Sequence, residues 1–125
     1  MHKSYRPVYL NLFKIRQPIG AIVSIIHRIT GVLMVLALPV ALSLLQQSLV
    51  SPEAFQQVLE WFATPVGRVL LYASIILFTQ HFYSGVRHLL LDIDVGVDIA
   101  SARVSARATL VATLVTVLIF GVALA

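Results

Sequence analysis

Long apolar runs separated by short polar segments dominate this chain of 125 residues. Residues 29–45 and 108–125 carry no charged side chain, and residues 69–91 carry one only near their end. Each run is close to the roughly 20 residues that a helix needs to cross about 30 Å of hydrocarbon. The runs are continuously apolar rather than alternating, which favours helices over membrane strands. The pattern predicts an all-α membrane protein with three transmembrane helices.

A polar arm over residues 1–17 precedes the membrane domain, which we expect to occupy residues 18–125. We predict helices over 18–45, 66–91 and 104–125. Pro18 suits a first helical turn, because its missing N–H would have no helical partner there.

The loop between the first two spans begins Ser51-Pro52-Glu53. A serine followed by proline is typical of a capped helix start, so we predict a short surface helix here. Trp61 and Phe62 would then lie at the membrane interface.

The charges fix an orientation and exclude some functions. Basic residues cluster before the first span, whereas residues 46–67 hold Glu53 and Glu60 without Lys or Arg. By the positive-inside rule the N-terminus is cytoplasmic, and three spans then place the C-terminus in the periplasm. The net charge of +4 therefore reflects topology, not nucleic-acid binding. The chain has no cysteine, so any iron-sulfur cluster must belong to a partner. The sequence shows no organellar transit peptide, which favours a bacterial inner membrane.

One polar stripe runs along the second span, and it contains His81, Gly85, His88 and Asp92. Ionisable groups inside a membrane helix are costly and are functional candidates by default. His81 lies about 11 residues, or roughly 16 Å, from Asp92, which is near mid-membrane. Its lone pair could bind the iron of a haem, with Gly85 leaving room for the flat macrocycle. The alternative is a histidine that hydrogen-bonds a neighbouring helix.

Arg87 and His88 lie about one turn from the interface, where the carboxylates of a haem on His81 would emerge. Arg87 points about 120° away from His81, which favours an interfacial side chain that reaches into water. His88 stays open between these two roles. We expect His2, His27 and His88 all to lie too shallow to stand opposite His81, so a second axial ligand would come from another subunit.

The start of the first helix carries a second group of residues on one face, at spacings of three and four. They include a serine, a histidine and an arginine among small residues, namely Gly20, Ser24, His27, Arg28 and Gly31. This face is either a ligand pocket or an amphipathic helix end against lipid headgroups. The single arginine among small residues favours the pocket.

Two motifs in these helices resemble the signature blocks of the cytochrome b membrane-anchor subunits of succinate dehydrogenase, respiratory Complex II. The first is Arg6-Pro7 followed by Pro18-Ile19-x-Ala21-Ile22-x-Ser24-Ile25-x-His27-Arg28-x-Thr30-Gly31. The second is His81-x3-Gly85-x-Arg87-His88-x3-Asp92. The similarity extends over nearly the whole chain, and the two blocks at this spacing are specific.

The resemblance implies a three-helix subunit that forms a helical bundle with a second anchor, which supplies the other ligand of one shared haem b. It further implies docking of an iron-sulfur subunit and a flavoprotein subunit, with membrane lipid around the anchors. His81 would be the axial ligand. His27 and Arg28 would lie by the haem propionates, and Ser24 and Arg28 would line a ubiquinone site. His88 has no role that the resemblance carries over as firmly.

Two other functions are compatible with some of these features. A haem-free anchor for a peripheral redox enzyme would use the same helices, with His and Arg bound to lipid. A proton-linked transporter is disfavoured, because no carboxylate lies at mid-membrane.

Overall fold

A computed structural model describes residues 15–124, which form four helices joined by short connections. They are α1 (Ile19–Ser48), α2 (Pro52–Ala63), α3 (Pro65–Asp92) and α4 (Ile99–Ala123). Helices α1, α3 and α4 are long and apolar enough to cross a membrane. The predicted all-α fold with three candidate spans is confirmed. Arg6-Pro7 and most of the expected arm lie outside the described residues.

The short surface helix is also confirmed, and its boundaries follow from local capping. The Ser51 hydroxyl accepts a hydrogen bond from the backbone N–H of Ala54 at 3.1 Å, and Pro52 opens α2. At the next boundary, the Thr64 hydroxyl accepts from the Gly67 N–H at 3.1 Å. These caps satisfy N–H groups that a helix start leaves without partners. Helix α2 therefore turns directly into α3.

Helix α4 begins at Ile99, five residues before the start that we predicted from hydrophobicity. The Asp98 carboxylate accepts a hydrogen bond from the Ser101 N–H at 2.9 Å and caps the helix. Hydrogen bonds from Ser101 lower the pKa of Asp98, so this cap stays ionised at neutral pH. The connection from α3 shrinks to residues 93–98. It turns through left-handed backbone at Asp94 (φ 61°) and Gly96 (φ 73°).

The packed interior is more polar than the outer surface. In the described part of the chain, the buried side chains comprise three apolar residues and seven polar or charged ones. Outward-facing residues such as Val35 and Leu36 are 70% and 68% exposed. A water-soluble domain shows the reverse arrangement, with apolar side chains inside. The distribution fits helices that present hydrocarbon to lipid and associate through small and polar side chains.

Helix α3 lies centrally, in contact with both α1 and α4, and polar side chains tie it to α4. The hydroxyls of Tyr83 and Thr116 are hydrogen-bonded at 2.9 Å, and Gln80 Oε1 lies 2.9 Å from the Thr113 hydroxyl. Gln80 is 5% exposed, and its Nε2 has no hydrogen-bond partner among the described residues. The central helix is thus fixed on its α4 side by hydrogen bonds rather than by apolar packing alone.

Candidate functional site

Two histidines from different helices meet where α1 packs on α3. The imidazole rings of His27 and His81 are stacked, with centroids 4.0 Å apart and an interplanar angle of 16°. His27 lies in the third turn of α1, and His81 lies three turns from the end of α3. The two helices therefore bring the N-terminal part of one and the C-terminal part of the other to the same depth.

This arrangement corrects the expectation that His27 is too shallow to reach the level of His81. The packing of α1 on α3 offsets the two helices along their axes, so the distance of a residue from its own helix end does not give its level relative to the other helix. The stacked geometry nevertheless separates their roles. A ring nitrogen's lone pair lies in the plane of its ring, so two axial ligands of one iron must face each other edge-on. Rings stacked face to face at 4.0 Å leave no room for a macrocycle between them.

The backbone of α1 sets the tautomer of His81. His81 Nδ1 lies 3.1 Å from the His27 carbonyl oxygen and 3.3 Å from the Thr30 hydroxyl. A carbonyl oxygen only accepts hydrogen bonds, so Nδ1 carries the proton and the neutral ring keeps its lone pair on Nε2. Within residues 15–124, Nε2 has no hydrogen-bond partner. A histidine that donates from Nδ1 to a carbonyl is the usual arrangement for metal ligation through Nε2.

His27 is held in turn by a serine that the sequence analysis did not single out. Ser84 is completely buried, and its hydroxyl lies 3.1 Å from His27 Nδ1. The same hydroxyl donates to the Gln80 carbonyl, so it accepts the Nδ1 proton of His27. Ser84 lies three residues after His81, on the face that meets α1. Both rings of the stacked pair are therefore oriented by hydrogen bonds from Nδ1.

Two glycines provide the space for the two rings. A Cβ on Gly31 would come within 2.9 Å of His81 Cε1, and a Cβ on Gly85 within 3.2 Å of His27 Cε1. Each helix thus lacks a side chain where the other helix's imidazole lies. We expected Gly85 to clear space for a macrocycle, but the group nearest to it is the His27 ring.

His88 extends the histidine pair toward the α3 end of the site. Its ring centroid lies 5.1 Å from that of His27, with the rings tilted by 52°. His88 is half-buried, whereas Asp92, one turn further on, is exposed. Three of the chain's four histidines are thus grouped in one region between α1 and α3.

The expectation of a water-facing Arg87 is wrong. Its side chain is 7% exposed, with Nε donating to the Ser105 hydroxyl at 3.1 Å and Nη2 to the Ala102 carbonyl at 3.2 Å. A Cβ on Gly20 would lie 3.3 Å from Nη2. The 120° offset from His81 directs Arg87 toward α4 rather than toward the interface. The guanidinium instead hydrogen-bonds the first two turns of α4, and Gly20 of α1 lies next to it.

Ser24 and Arg28 lie one helical turn apart on α1, beside the histidine pair. Ser24 is half-buried and Arg28 is exposed. Thr30 and Ser43 of the same helix donate to backbone carbonyls. Among the described residues, the Ser24 hydroxyl has no such partner. Within residues 15–124, the Ser24 hydroxyl and the Arg28 guanidinium thus have no hydrogen-bond partner, and both lie on one side of α1.

Comparison with known proteins agrees with this architecture. Residues 2–120 match the family described as succinate dehydrogenase/fumarate reductase transmembrane subunit. A relative from Coxiella burnetii, named succinate dehydrogenase cytochrome b556 subunit, is 32% identical over 105 residues. That alignment covers 79% of this chain and 80% of the relative. A protein of the same name from Paracoccus denitrificans is 31% identical over 104 residues, and that alignment covers 82% of this chain and 79% of the relative. The chain belongs to the family of succinate dehydrogenase/fumarate reductase transmembrane subunits.

Proposed function

We propose that this chain is the haem-binding membrane anchor of a succinate:ubiquinone oxidoreductase, with His81 as one axial ligand of a b haem. The observation that carries the proposal is the hydrogen bond from His81 Nδ1 to the His27 carbonyl, which leaves the Nε2 lone pair for iron. The curated relatives are named as cytochrome b556 subunits, which supports a haem of this type.

The residues around His81 fit such a group. The Nδ1 donor fixes the ring orientation and raises the basicity of Nε2, as hydrogen-bonded histidine ligands require. Gly31 leaves the ring uncrowded on its α1 side. The His27 ring is stacked on His81, so it would not share an iron with His81, and a partner anchor subunit would supply the second ligand. A bound b haem would accept and release single electrons at this position.

The cationic and imidazole side chains beside His81 have a separate task. His27 and Arg28 would bind the propionate carboxylates, and His88 is a further candidate because its ring lies close to His27. Charge-assisted hydrogen bonds of this kind are about twice as strong as neutral ones. Ser84 accepts the Nδ1 proton of His27, so His27 would bind a carboxylate through Nε2, once a second proton makes the ring an imidazolium.

Ser24 and Arg28 would bind ubiquinone on the neighbouring side of α1. The Ser24 hydroxyl can donate to a quinone carbonyl, and that bond strengthens as negative charge develops on the oxygen. The Arg28 guanidinium stabilises the same charge electrostatically. Succinate oxidation takes place on the flavoprotein subunit, and its electrons reach the quinone through the iron-sulfur subunit. This chain contributes binding and charge stabilisation to quinone reduction and no group to the succinate step.

The membrane orientation follows from the charges outside the spans. The basic N-terminal segment lies in the cytoplasm of a bacterial cell and the C-terminus in the periplasm, with the chain in the inner membrane. The histidine group then lies in the cytoplasmic half, where the iron-sulfur and flavoprotein subunits dock. Helix α2, with exposed Glu53 and Glu60, lies on the periplasmic side.

The haem assignment is tested by His81→Ala in the assembled complex, with Tyr83→Phe as the control. The control changes the same helix and removes the bond to Thr116 without touching His81. We expect His81→Ala to lose the b-type absorption while flavin content persists, and Tyr83→Phe to keep both. An unchanged b-type spectrum in His81→Ala would refute the ligand assignment. A wild-type complex that assembles without b-type absorption would favour the haem-free anchor instead.

The quinone assignment is tested by Ser24→Ala, with Ser43→Ala as the control further along α1. Ser24→Ala should slow ubiquinone reduction by roughly tenfold, the equivalent of about 1.4 kcal/mol for one hydrogen bond in the transition state. Dye-linked succinate oxidation and haem content should stay at wild-type levels in both variants. If Ser24→Ala reduced quinone as fast as Ser43→Ala, Ser24 would be a packing residue only.

A further inference from the structure

The Thr30 hydroxyl contacts the proposed haem ligand from within the bundle. Thr30 is 5% exposed, one turn after His27 on α1, and its Oγ1 lies 3.3 Å from His81 Nδ1. The hydroxyl also lies 2.9 Å from the carbonyl oxygens of Ile26 and His27. It therefore has three possible partners and a single proton.

The donor and acceptor roles can be assigned from this geometry. The carbonyl oxygens can only accept, so the Thr30 proton goes to one of them. His81 Nδ1 already carries a proton, because it also faces the His27 carbonyl at 3.1 Å. Thr30 Oγ1 consequently accepts from Nδ1–H as the second branch of a shared hydrogen bond. The His81 proton lies between a peptide carbonyl and a threonine hydroxyl, both on α1.

We propose that Thr30 is a positioning residue that tunes the haem iron through His81. Its hydroxyl accepts a hydrogen bond from His81 Nδ1–H and so increases the electron density on the imidazole. A more electron-rich ligand favours ferric over ferrous iron. This inference rests on the proposed ligation of iron by His81 Nε2. It adds a residue that does not touch the haem and that acts only through the ligand.

The hydroxyl of Thr30 has a role that an apolar side chain cannot fill. A purely apolar side chain of the same shape would fill the space but leave Nδ1–H with the His27 carbonyl alone. The other buried threonines, such as Thr109, have no histidine within hydrogen-bonding distance among residues 15–124. Thr109 is 6% exposed, and its hydroxyl donates only to the Ala106 carbonyl. It therefore provides a control of matched burial and chemistry.

The test compares Thr30→Val, Thr30→Ser and Thr109→Val in the assembled complex by an equilibrium redox titration of the b-type absorption. Thr30→Val should shift the ferric-to-ferrous preference by about three- to tenfold. This corresponds to a midpoint potential roughly 30–60 mV higher, at 59 mV per tenfold for one electron. Thr30→Ser keeps the hydroxyl and should restore the wild-type potential, and Thr109→Val should leave it unchanged.

The outcomes separate this inference from the proposed function. If His81→Ala loses the haem but Thr30→Val has the wild-type potential, Thr30 has no tuning role and the ligand assignment stands. If His81→Ala keeps the haem, the ligand assignment fails, and the inference fails with it. An equal shift in Thr30→Val and Thr109→Val would indicate a general packing effect and overturn the inference. Should Thr30→Val fail to assemble, Thr30→Ala is measured against Thr30→Ser with the same expectation.

Discussion

A methyl group added at Gly31 tests whether the close approach of α1 to His81 holds the proposed haem ligand in place. In Gly31→Ala the new Cβ would lie 2.9 Å from His81 Cε1. Carbon atoms pack at about 3.5–4.0 Å, so the imidazole must move by about 0.6 Å or more. A displacement of that size turns the ring away from its present torsion angles and weakens the 3.1 Å bond from Nδ1 to the His27 carbonyl.

The cost can be estimated from those two losses. A side chain forced off its rotamer costs about 0.5–1.5 kcal/mol. A weakened hydrogen bond adds about 0.5–1.5 kcal/mol. Together they amount to about 1–3 kcal/mol, which corresponds to haem held roughly 5- to 150-fold more weakly.

The chain offers two matched glycines for comparison. In Gly85→Ala the Cβ lies 3.2 Å from His27 Cε1, and in Gly121→Ala it has no described neighbour within 4 Å. All three glycines lie within helices, where alanine gains up to about 1 kcal/mol of helix propensity over glycine, least at Gly121 near the end of α4. Gly31 and Gly85 both lie in helix interiors, so the difference between their variants reports on the imidazole contacts.

The assay is the rate at which haem passes from the purified complex to excess apomyoglobin, followed by absorption. We expect loss to be fastest in Gly31→Ala, intermediate in Gly85→Ala and at the wild-type rate in Gly121→Ala. Equal rates in Gly31→Ala and Gly121→Ala would refute the reasoning, because the His81 ring would then have room that the structure does not show.

Two further predictions concern the contacts between α3 and α4. Arg87→Lys cannot reproduce both hydrogen bonds of the guanidinium, and losing one bond from a charged group costs about 1.5–3 kcal/mol. The apparent melting temperature of the complex should therefore fall in Arg87→Lys and stay unchanged in the control Arg107→Lys, which alters an exposed side chain. Equal melting temperatures in the two variants would contradict the role of the Arg87 hydrogen bonds in stability. Thr113→Val leaves both Oε1 and Nε2 of Gln80 without a hydrogen-bond partner in the described part of the chain, which costs about 1–3 kcal/mol. The double variant Thr113→Val with Gln80→Leu should recover most of that stability in the same measurement, and no recovery would contradict the pairing.

The hydrophobic pattern predicted the number of spans because each span must be long and apolar enough to cross the bilayer. The pattern placed the helix ends less well. We predict the third long helix from residue 104, but the Asp98 cap starts α4 at Ile99. A helix cap depends on one or two residues, here Asp98 and Ser101. A hydrophobicity average over many residues does not detect such a cap.

The histidines show a different limit. Sequence spacing placed His81, Gly85 and His88 on one face of a helix, and this holds for any α-helix. It could not show that α1 and α3 bring His27 against His81, because the offset of two helices depends on their packing. For the same reason Ser84 and Thr30 were not predicted as partners of the two rings. A buried serine or threonine in a membrane helix ordinarily bonds its own backbone, and only the neighbouring helix shows the further role.

The most direct test of a haem-carrying anchor is a redox difference spectrum of the purified wild-type complex, with its subunits identified by mass. We predict that reduction by succinate or by a chemical reductant gives the difference spectrum of a b-type haem, with one haem for each flavin. An assembled complex that contains this chain and flavin but shows no b-type absorption would contradict the assignment of His81 as a haem ligand.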